Sequence, residues 1–413
     1  MPPEDFDELT SDAGEVALVQ TTEVIADPLG HLSVEQVESI YQRYLEGEKV
    51  RDLFTEFSIK TNVNSLLPLL PHLERKDITC PHCASHATQK RAARNNTENK
   101  PVCTGCDHIF PTYRDDTCGC SACVNEYLGQ LNGNGIHCRV PYEGLTLREK
   151  IILLAALTMA GPSDVACLSF VQLQRWNRRL APTSEYQNKC ISELFSRHII
   201  LVSSETSIDA LDFYRQYERY DFLSWSPNVS DDDAGGLALD VQSLQMLIAY
   251  DLEKNKAELE PVLKALVYEV AEEELMEYLS YRVENASVVF KAERATREVL
   301  RPLLASSSVS NIFSIIWKAV KQADKSFEKG VFKGATHAGN WIPSAIVRIA
   351  EEEKQYEYDR LKGSKICQIS EVIYSLILDD PDGSFKIPLP RYTAEVMRPV
   401  LEGISSAKDA KIA

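Results

Sequence analysis

Cys80-Pro81-His82-Cys83, Cys103-Thr104-Gly105-Cys106 and Cys118-Gly119-Cys120-Ser121-Ala122-Cys123, with Cys138 shortly after, gather eight of the eleven cysteines into one window. A disulfide framework spreads its cysteines through a secreted domain, whereas clustered pairs in a reducing compartment read as metal ligands. Two thiolates separated by two residues can turn back on one ion, and two such knuckles complete the tetrahedron that Zn²⁺ accepts. The first two pairs are nineteen residues apart, counting 84–102, and Pro81 and Gly105 suit tight turns. They predict one zinc ion. The set Cys118, Cys120 and Cys123 needs a fourth donor for a second. Cys138 is the first choice, with His108 and His137 as alternatives, and the ligands can also interleave between two sites. Four thiolates leave no open position for water, so the ions are expected to be structural and hydrolysis at the metal is disfavoured.

At this spacing the segment resembles a zinc ribbon. Between its knuckles, Lys90, Arg91, Arg94 and Lys100 are opposed only by Glu98, with Thr88, Asn95, Asn96 and Asn99 interspersed. A finger of basic and amide side chains suits phosphate contact; a solvated loop has the same composition. The other cysteines, Cys167, Cys190 and Cys367, lie in apolar surroundings and read as small buried hydrophobes.

The net charge of −17 argues against a protein that coats nucleic acid non-specifically, but it leaves room for a local basic groove. Residues 1–30 contain eight acids and no Lys or Arg, the composition of a disordered acidic tail. No basic segment followed by an apolar run opens the chain, and its most apolar stretch, 151–157, is far short of the ~20 residues of a membrane helix. A cytoplasmic protein is expected.

Ser33 and Gln36 form a capping box ahead of Val34, Val37, Ile40, Tyr41 and Tyr44 at helical spacing, with Gly47 as the stop. A second helix carries Val50, Leu53, Phe54 and Phe57 inward. The stretch 33–59 resembles the helix-turn-helix of resolvase and invertase recombinases. That resemblance implies a third helix offering polar side chains to a major groove, yet 62–70 is rich in Leu and Pro. Further on, 147–156 reads as a helix, Pro182 and Ser184 introduce another with Cys190, Ile191, Leu194 and Phe195 on one face, and 199–202 reads as a strand. The stretch 183–204 resembles the recognition helix and following strand of a winged helix. Across 175–204, Arg175, Arg178, Arg179, Lys189 and Arg197 outnumber Glu185 and Glu193.

After an acidic linker around 231–233 the pattern is helical. The helix 311–329 places Ile312, Ile315, Ile316, Ala319, Val320, Ala323 and Phe327 on one stripe. Lys318, Lys321, Lys325 and Lys329 fall within about 80° of one another on the opposite side, at ~100° per residue. Across 291–348, Lys291, Arg294, Arg297, Arg301, Lys333 and Arg348 join them against Glu293, Glu298, Asp324 and Glu328. This local excess suits a phosphate-binding face, with Phe332 or Trp341 to stack on a base; a solvated helix face reads the same way. No nucleotide-binding loop, nucleophile elbow or zinc-protease motif is present.

The sequence therefore predicts a mainly α, multi-domain chain. Its parts are an acidic tail (1–30), a helix-turn-helix-like unit (31–72), a zinc-binding β module (73–143), a winged-helix-like unit (144–225) and a C-terminal helical domain (237–413). The function expected is zinc-containing nucleic-acid binding, most of all DNA binding. Helix-turn-helix pieces and zinc ribbons are combined in this way in proteins of bacterial mobile elements and defence systems. A zinc-stabilised adaptor for a protein partner is the alternative, and an enzyme with an unfamiliar site the third reading. Candidate phosphate contacts are Lys90, Arg91, Arg94, Lys318, Lys321, Lys325 and Lys329.

Overall fold

The computed structural model describes residues 28–95, 99–110, 118–133, 138–160, 168–169, 179–231, 236, 238–352 and 367–401. The acidic tail up to residue 27 lies outside them, as do Cys167, Arg175, Arg178, Asp232 and Asp233. The chain is mainly helical and divides into two compact units, 1–123 and 124–413. Among the described residues no helix is long and apolar enough to cross a membrane.

In the first unit the capping box forms as expected: Ser33 Oγ accepts from the Gln36 amide, and the Gln36 side chain accepts from the Ser33 amide. It starts the helix Val34–Leu45, and Gly47, at φ +109°, takes the left-handed backbone that follows the stop. Val37, Ile40 and Tyr41 pack with Leu53 of the helix Val50–Glu56 and with Leu29, Ile59, Leu66 and Leu70. The third helix of a helix-turn-helix is missing. In its place stands a single 3₁₀ turn, Leu67–Leu69, with Pro68 inside it and Leu66 and Leu70 turned into the core. Pro68 lacks the amide that a longer helix would use.

Strands β1 (Leu73–Thr79), β2 (His86–Gln89) and β3 (Val102–Cys103) then form an antiparallel sheet in the order β1-β2-β3. It has almost no apolar interior. Among the described residues between Leu73 and Phe110, the buried apolar side chains are Cys80, Ala87, Pro101 and Cys103.

The second unit contains β4 (Val140–Pro141), β5 (Leu168–Ser169), β6 (Ile200–Val202), β7 (Ser224–Pro227) and β8 (Val229–Ser230). β5, β7 and β6 form an antiparallel sheet in that order, and β4 pairs parallel with β8. The helix Leu147–Ala160 is buried on nearly every side, from Leu147 to Met159, so it serves as the central element of this core. The helix Ser184–Ser196, the sheet and the helices Val241–Lys254, Lys256–Glu284, Glu293–Ser306, Val309–Glu328 and Ile342–Glu352 all contribute to one hydrophobic cluster with it. Cys190 and Cys367 are buried there, as expected of small hydrophobes.

Charged residues inside this core come in satisfied groups. Lys150 Nζ lies 2.7 Å from Asp251 Oδ2, which also accepts from Tyr142 Oη at 2.6 Å, and the Lys150 ammonium sits over the Tyr142 ring. This joins the central helix to the helix Val241–Lys254. Burial and the Asp251 carboxylate raise the Tyr142 pKa, so the phenol keeps its proton and donates it. Gly339 is needed for a different reason: a Cβ there would lie 2.2 Å from the Val289 carbonyl oxygen.

Two stability measurements follow. Asp251→Ala leaves the Lys150 ammonium, only 9% exposed, without its counter-charge and should cost about 3–5 kcal/mol in denaturant unfolding of the second unit. Gly339→Ala forces backbone apart and should cost about 1–3 kcal/mol, whereas Gly330→Ala, in open space but at φ +72°, should cost about 1 kcal/mol.

Candidate metal centre

The first donor group forms from the two knuckles. β1 ends just before Cys80, the chain turns through Pro81 and His82 to Cys83, and β2 carries it away; β3 ends at Cys103, and Thr104 and Gly105 turn it to Cys106. Cys80 and Cys106 sulfurs are 3.5 Å apart and Cys83 and Cys103 sulfurs 3.3 Å apart, close to the ~3.8 Å edge that Zn–S bonds of ~2.3 Å give a tetrahedron. All four donors converge. The two turns are built alike. In each, the first sulfur accepts an amide two residues on: His82 N to Cys80 Sγ at 3.4 Å, and Gly105 N to Cys103 Sγ at 3.3 Å. After each second cysteine comes a left-handed residue, Ala84 at φ 59° and Asp107 at φ 55°. Gly105 is fixed by space, since its Cβ would lie 2.6 Å from Ser85 Oγ and 3.1 Å from Cys83 Sγ.

A second donor group comprises His82, His108, Cys120 and Cys123. His82 Nε2 lies 3.2 Å from Cys123 Sγ, and His108 Nδ1 lies 3.3 Å from Cys123 Sγ and 3.7 Å from Cys120 Sγ. A tetrahedral ion would set such N···S edges near ~3.6 Å. Cys123 stands in the first turn of the helix Ser121–Leu131 and Cys120 just before it. The His108 ring is buried edge-on to Phe110, and the His82 ring is exposed. Cys118 flanks this group, its sulfur accepting the amides of Ile109 at 3.1 Å and Cys120 at 3.4 Å.

Of the expected ligands, Cys118 and Cys138 fall in neither group: Cys118 flanks the second, and Cys138 is exposed. His137 lies outside the described residues. His108 is among the alternatives the sequence offers. His82 is not, although its place inside the first knuckle is a signal.

The thiols differ in acidity. The Ser85 hydroxyl and amide, with the Cys103 thiol, pull the Cys83 pKa down to about 6. The His108 amide pulls Cys106 down, but burial and the neighbouring Cys80, Cys83 and Cys103 outweigh it and push that thiol up to about 12. Burial and the sulfurs of Cys120 and Cys118 likewise push Cys123 up to about 12. For Cys118, the two amides overcome burial and lower the pKa. Burial, then the His82 charge, lowers the His108 pKa, which favours the neutral imidazole that a metal needs. With four donors apiece, neither group would leave a bound ion an open position, so the arrangement suits holding a metal rather than reacting at it.

The expected phosphate contacts fare unevenly. In the finger, Arg91 is half-buried: it pairs with Glu38 at 2.6 Å, donates to the Pro71 carbonyl and stacks on Tyr41. Arg94 lies over the Tyr44 ring and donates to the carbonyls of Tyr44 and Glu48. These arginines bind the finger to the helix Val34–Leu45, and Lys90 is left exposed. On the helix Ser184–Ser196, Lys189 pairs with Glu269, and Arg297 and Arg301 pair with Glu272 and Glu273 across a cleft of about 620 Å³. Glu185 and Glu218 also line it. Lys318 is half-buried and not free. Lys321, Lys325, Lys329 and Lys333 are exposed and form no ion pair among the described residues; Lys321 caps the Trp317 ring.

No protein-family model matches the chain, and searches of curated proteins and of solved structures found no match.

Because thiols held as high as about 12 must lose their protons to bind a cation, metal uptake should release protons. Apparent affinity should therefore fall as pH drops from about 7.5 to about 6. Competition with a chromophoric chelator across that range measures it; an affinity independent of pH would contradict thiolate ligation.

Proposed function

We propose that the chain is a cytoplasmic zinc protein that holds two structural ions and uses the folded surface to bind nucleic acid. The observation that carries the zinc reading is the convergence of two donor tetrads, Cys80/Cys83/Cys103/Cys106 and His82/His108/Cys120/Cys123, in a segment with almost no apolar core. Borderline-soft Zn²⁺ suits sulfur and imidazole in this ratio, and its indifference to geometry suits knuckles whose shape is set by the chain.

The nucleic-acid reading rests on a smaller surface than the sequence suggests. It is supported by Lys321 and Lys325 on the helix Val309–Glu328, Lys329 at its C-cap and Lys333 just beyond, together with Phe332 and Trp341, whose ring centroids are 5.5 Å apart. The ring pair offers a stacking platform and the lysines a path for phosphates. The order of strands β5-β7-β6 around the helix Ser184–Ser196 supports the winged-helix resemblance as a scaffold. Its would-be recognition helix, however, faces Glu269, Glu272 and Glu273, which would repel a phosphate backbone. The second reading, an adaptor for a protein partner, is favoured by that internal pairing of Arg91, Lys189, Arg297 and Arg301 and by the charge of −17.

The test is a quadruple variant, Lys321→Gln, Lys325→Gln, Lys329→Gln and Lys333→Gln. These are surface positions, so stability should change little, within about 0.5 kcal/mol each. Each lysine that meets a phosphate releases about one counterion, so the salt slope of single-stranded or duplex DNA binding should flatten by up to about 3–4 units. Equal binding by variant and parent at matched salt would leave the adaptor reading.

A further inference from the structure

We propose that the two metal centres are coupled through His82 and His108, so that the four-cysteine centre loads first and its loading assembles the second. The proposal rests on the zinc reading and concerns the order of filling. Each of these histidines lies two residues after a cysteine of the first group, Cys80 and Cys106 respectively. Each has two allegiances. The His82 amide donates to Cys80 Sγ at 3.4 Å while its Nε2 lies 3.2 Å from Cys123 Sγ. The His108 carbonyl accepts from the Cys103 amide at 2.8 Å while its Nδ1 lies 3.3 Å from Cys123 Sγ. The Cys80 and Cys106 sulfurs are 3.5 Å apart, and the two rings meet edge to face at 4.9 Å. Main chain of one centre and side chains of the other are therefore the same two residues.

The physical link is the amide-to-sulfur bond. A charged acceptor makes that bond roughly twice as strong as a neutral one, and a bound cation is what converts these thiols to thiolates. Filling the first centre thus tightens the His82 amide bond to Cys80, and by fixing Cys103, whose amide holds the His108 carbonyl, it fixes the backbone at His108 as well. The His82 turn depends on this most: its ring is exposed, and the left-handed Ala84 after it persists only while neighbouring contacts hold it. The reverse dependence is weaker in effect. Coupling is reciprocal in free energy, but the first centre is complete with its own four cysteines. The second lacks half its donors until the 80–83 and 103–106 turns are set. Cys120 and Cys123, at the start of their helix, contribute nothing to the first tetrad.

Cobalt titration of the metal-free full chain reads the order directly, because absorption distinguishes a four-sulfur from a two-sulfur, two-nitrogen ion. The first equivalent should give the four-sulfur spectrum and the second the mixed one. Cys83→Ser should abolish the four-sulfur signal and weaken cobalt binding at the mixed centre by about 10–100-fold, the range that outer partners of a ligand typically command. Cys123→Ser should keep the first equivalent. If the wild-type protein fills both centres in parallel, or the mixed centre first, the proposal is overturned even if every variant misfolds. A mixed centre of parental affinity in Cys83→Ser overturns it as well. A parent that takes up no cobalt overturns the zinc reading beneath it, a result distinct from independent filling.

Discussion

On the zinc reading, the segment from Leu73 to Phe110 is held by sulfur where other segments are held by hydrocarbon. The apolar cluster of the first unit ends at Leu70, and beyond it, among the described residues of that unit, the buried apolar side chains are Cys80, Ala87, Pro101, Cys103 and Cys120. A fully buried Leu stabilises by about 1.5–3 kcal/mol, so one Ala, one Pro and a few small thiols cannot offset the entropy of ordering three strands. A structural zinc ion contributes an apparent ~10–16 kcal/mol, the equivalent of several leucines placed at a single point. The geometry of the turns follows from that. Amides aimed at Cys80 and Cys103, Gly105 pressed against Ser85 and Cys83, and left-handed Ala84 and Asp107 all serve to bring four sulfurs within reach of one another.

Several of the described arginines serve the fold. Arg91 and Arg94 bind the finger to the first helix through carbonyls, Glu38 and two tyrosine rings. Arg148 joins Glu193 and Glu269, and Arg297 and Arg301 neutralise the buried Glu272 and Glu273. A planar guanidinium with several donors suits these multiple contacts better than an ammonium does. The lysines at the end of the helix Val309–Glu328 stand outside this pattern, which is why the nucleic-acid reading depends on them.

Much of this is legible in the sequence where the signal is local. The capping box at Ser33 and Gln36, the stop at Gly47, the helices around Leu147 and Ser184 and the strand at Ile200 stand as spacing predicts. The first tetrad follows from its knuckles. What the sequence cannot show is which charges meet. Lys189 reaches Glu269 across eighty positions and Arg91 reaches Glu38 across fifty-three, and no local pattern encodes either pairing. His82 is hidden differently. Inside Cys80-Pro81-His82-Cys83 it looks like a spacer of one site, and only the fold turns its ring toward Cys123. Counting cysteines alone therefore leads to Cys138.

Zinc-edge X-ray absorption on the purified full chain bears most directly on this account, because it counts donor atoms without altering any of them. One four-sulfur centre and one mixed centre average three sulfurs and one imidazole nitrogen per ion, from six cysteines and His82 and His108. A spectrum with about that ratio, at two zinc ions per chain, is what the account requires. Four sulfurs per ion with no imidazole signature would return the second centre to cysteines such as Cys118 and Cys138, and an oxygen-ligated ion would contradict a sulfur-held core altogether.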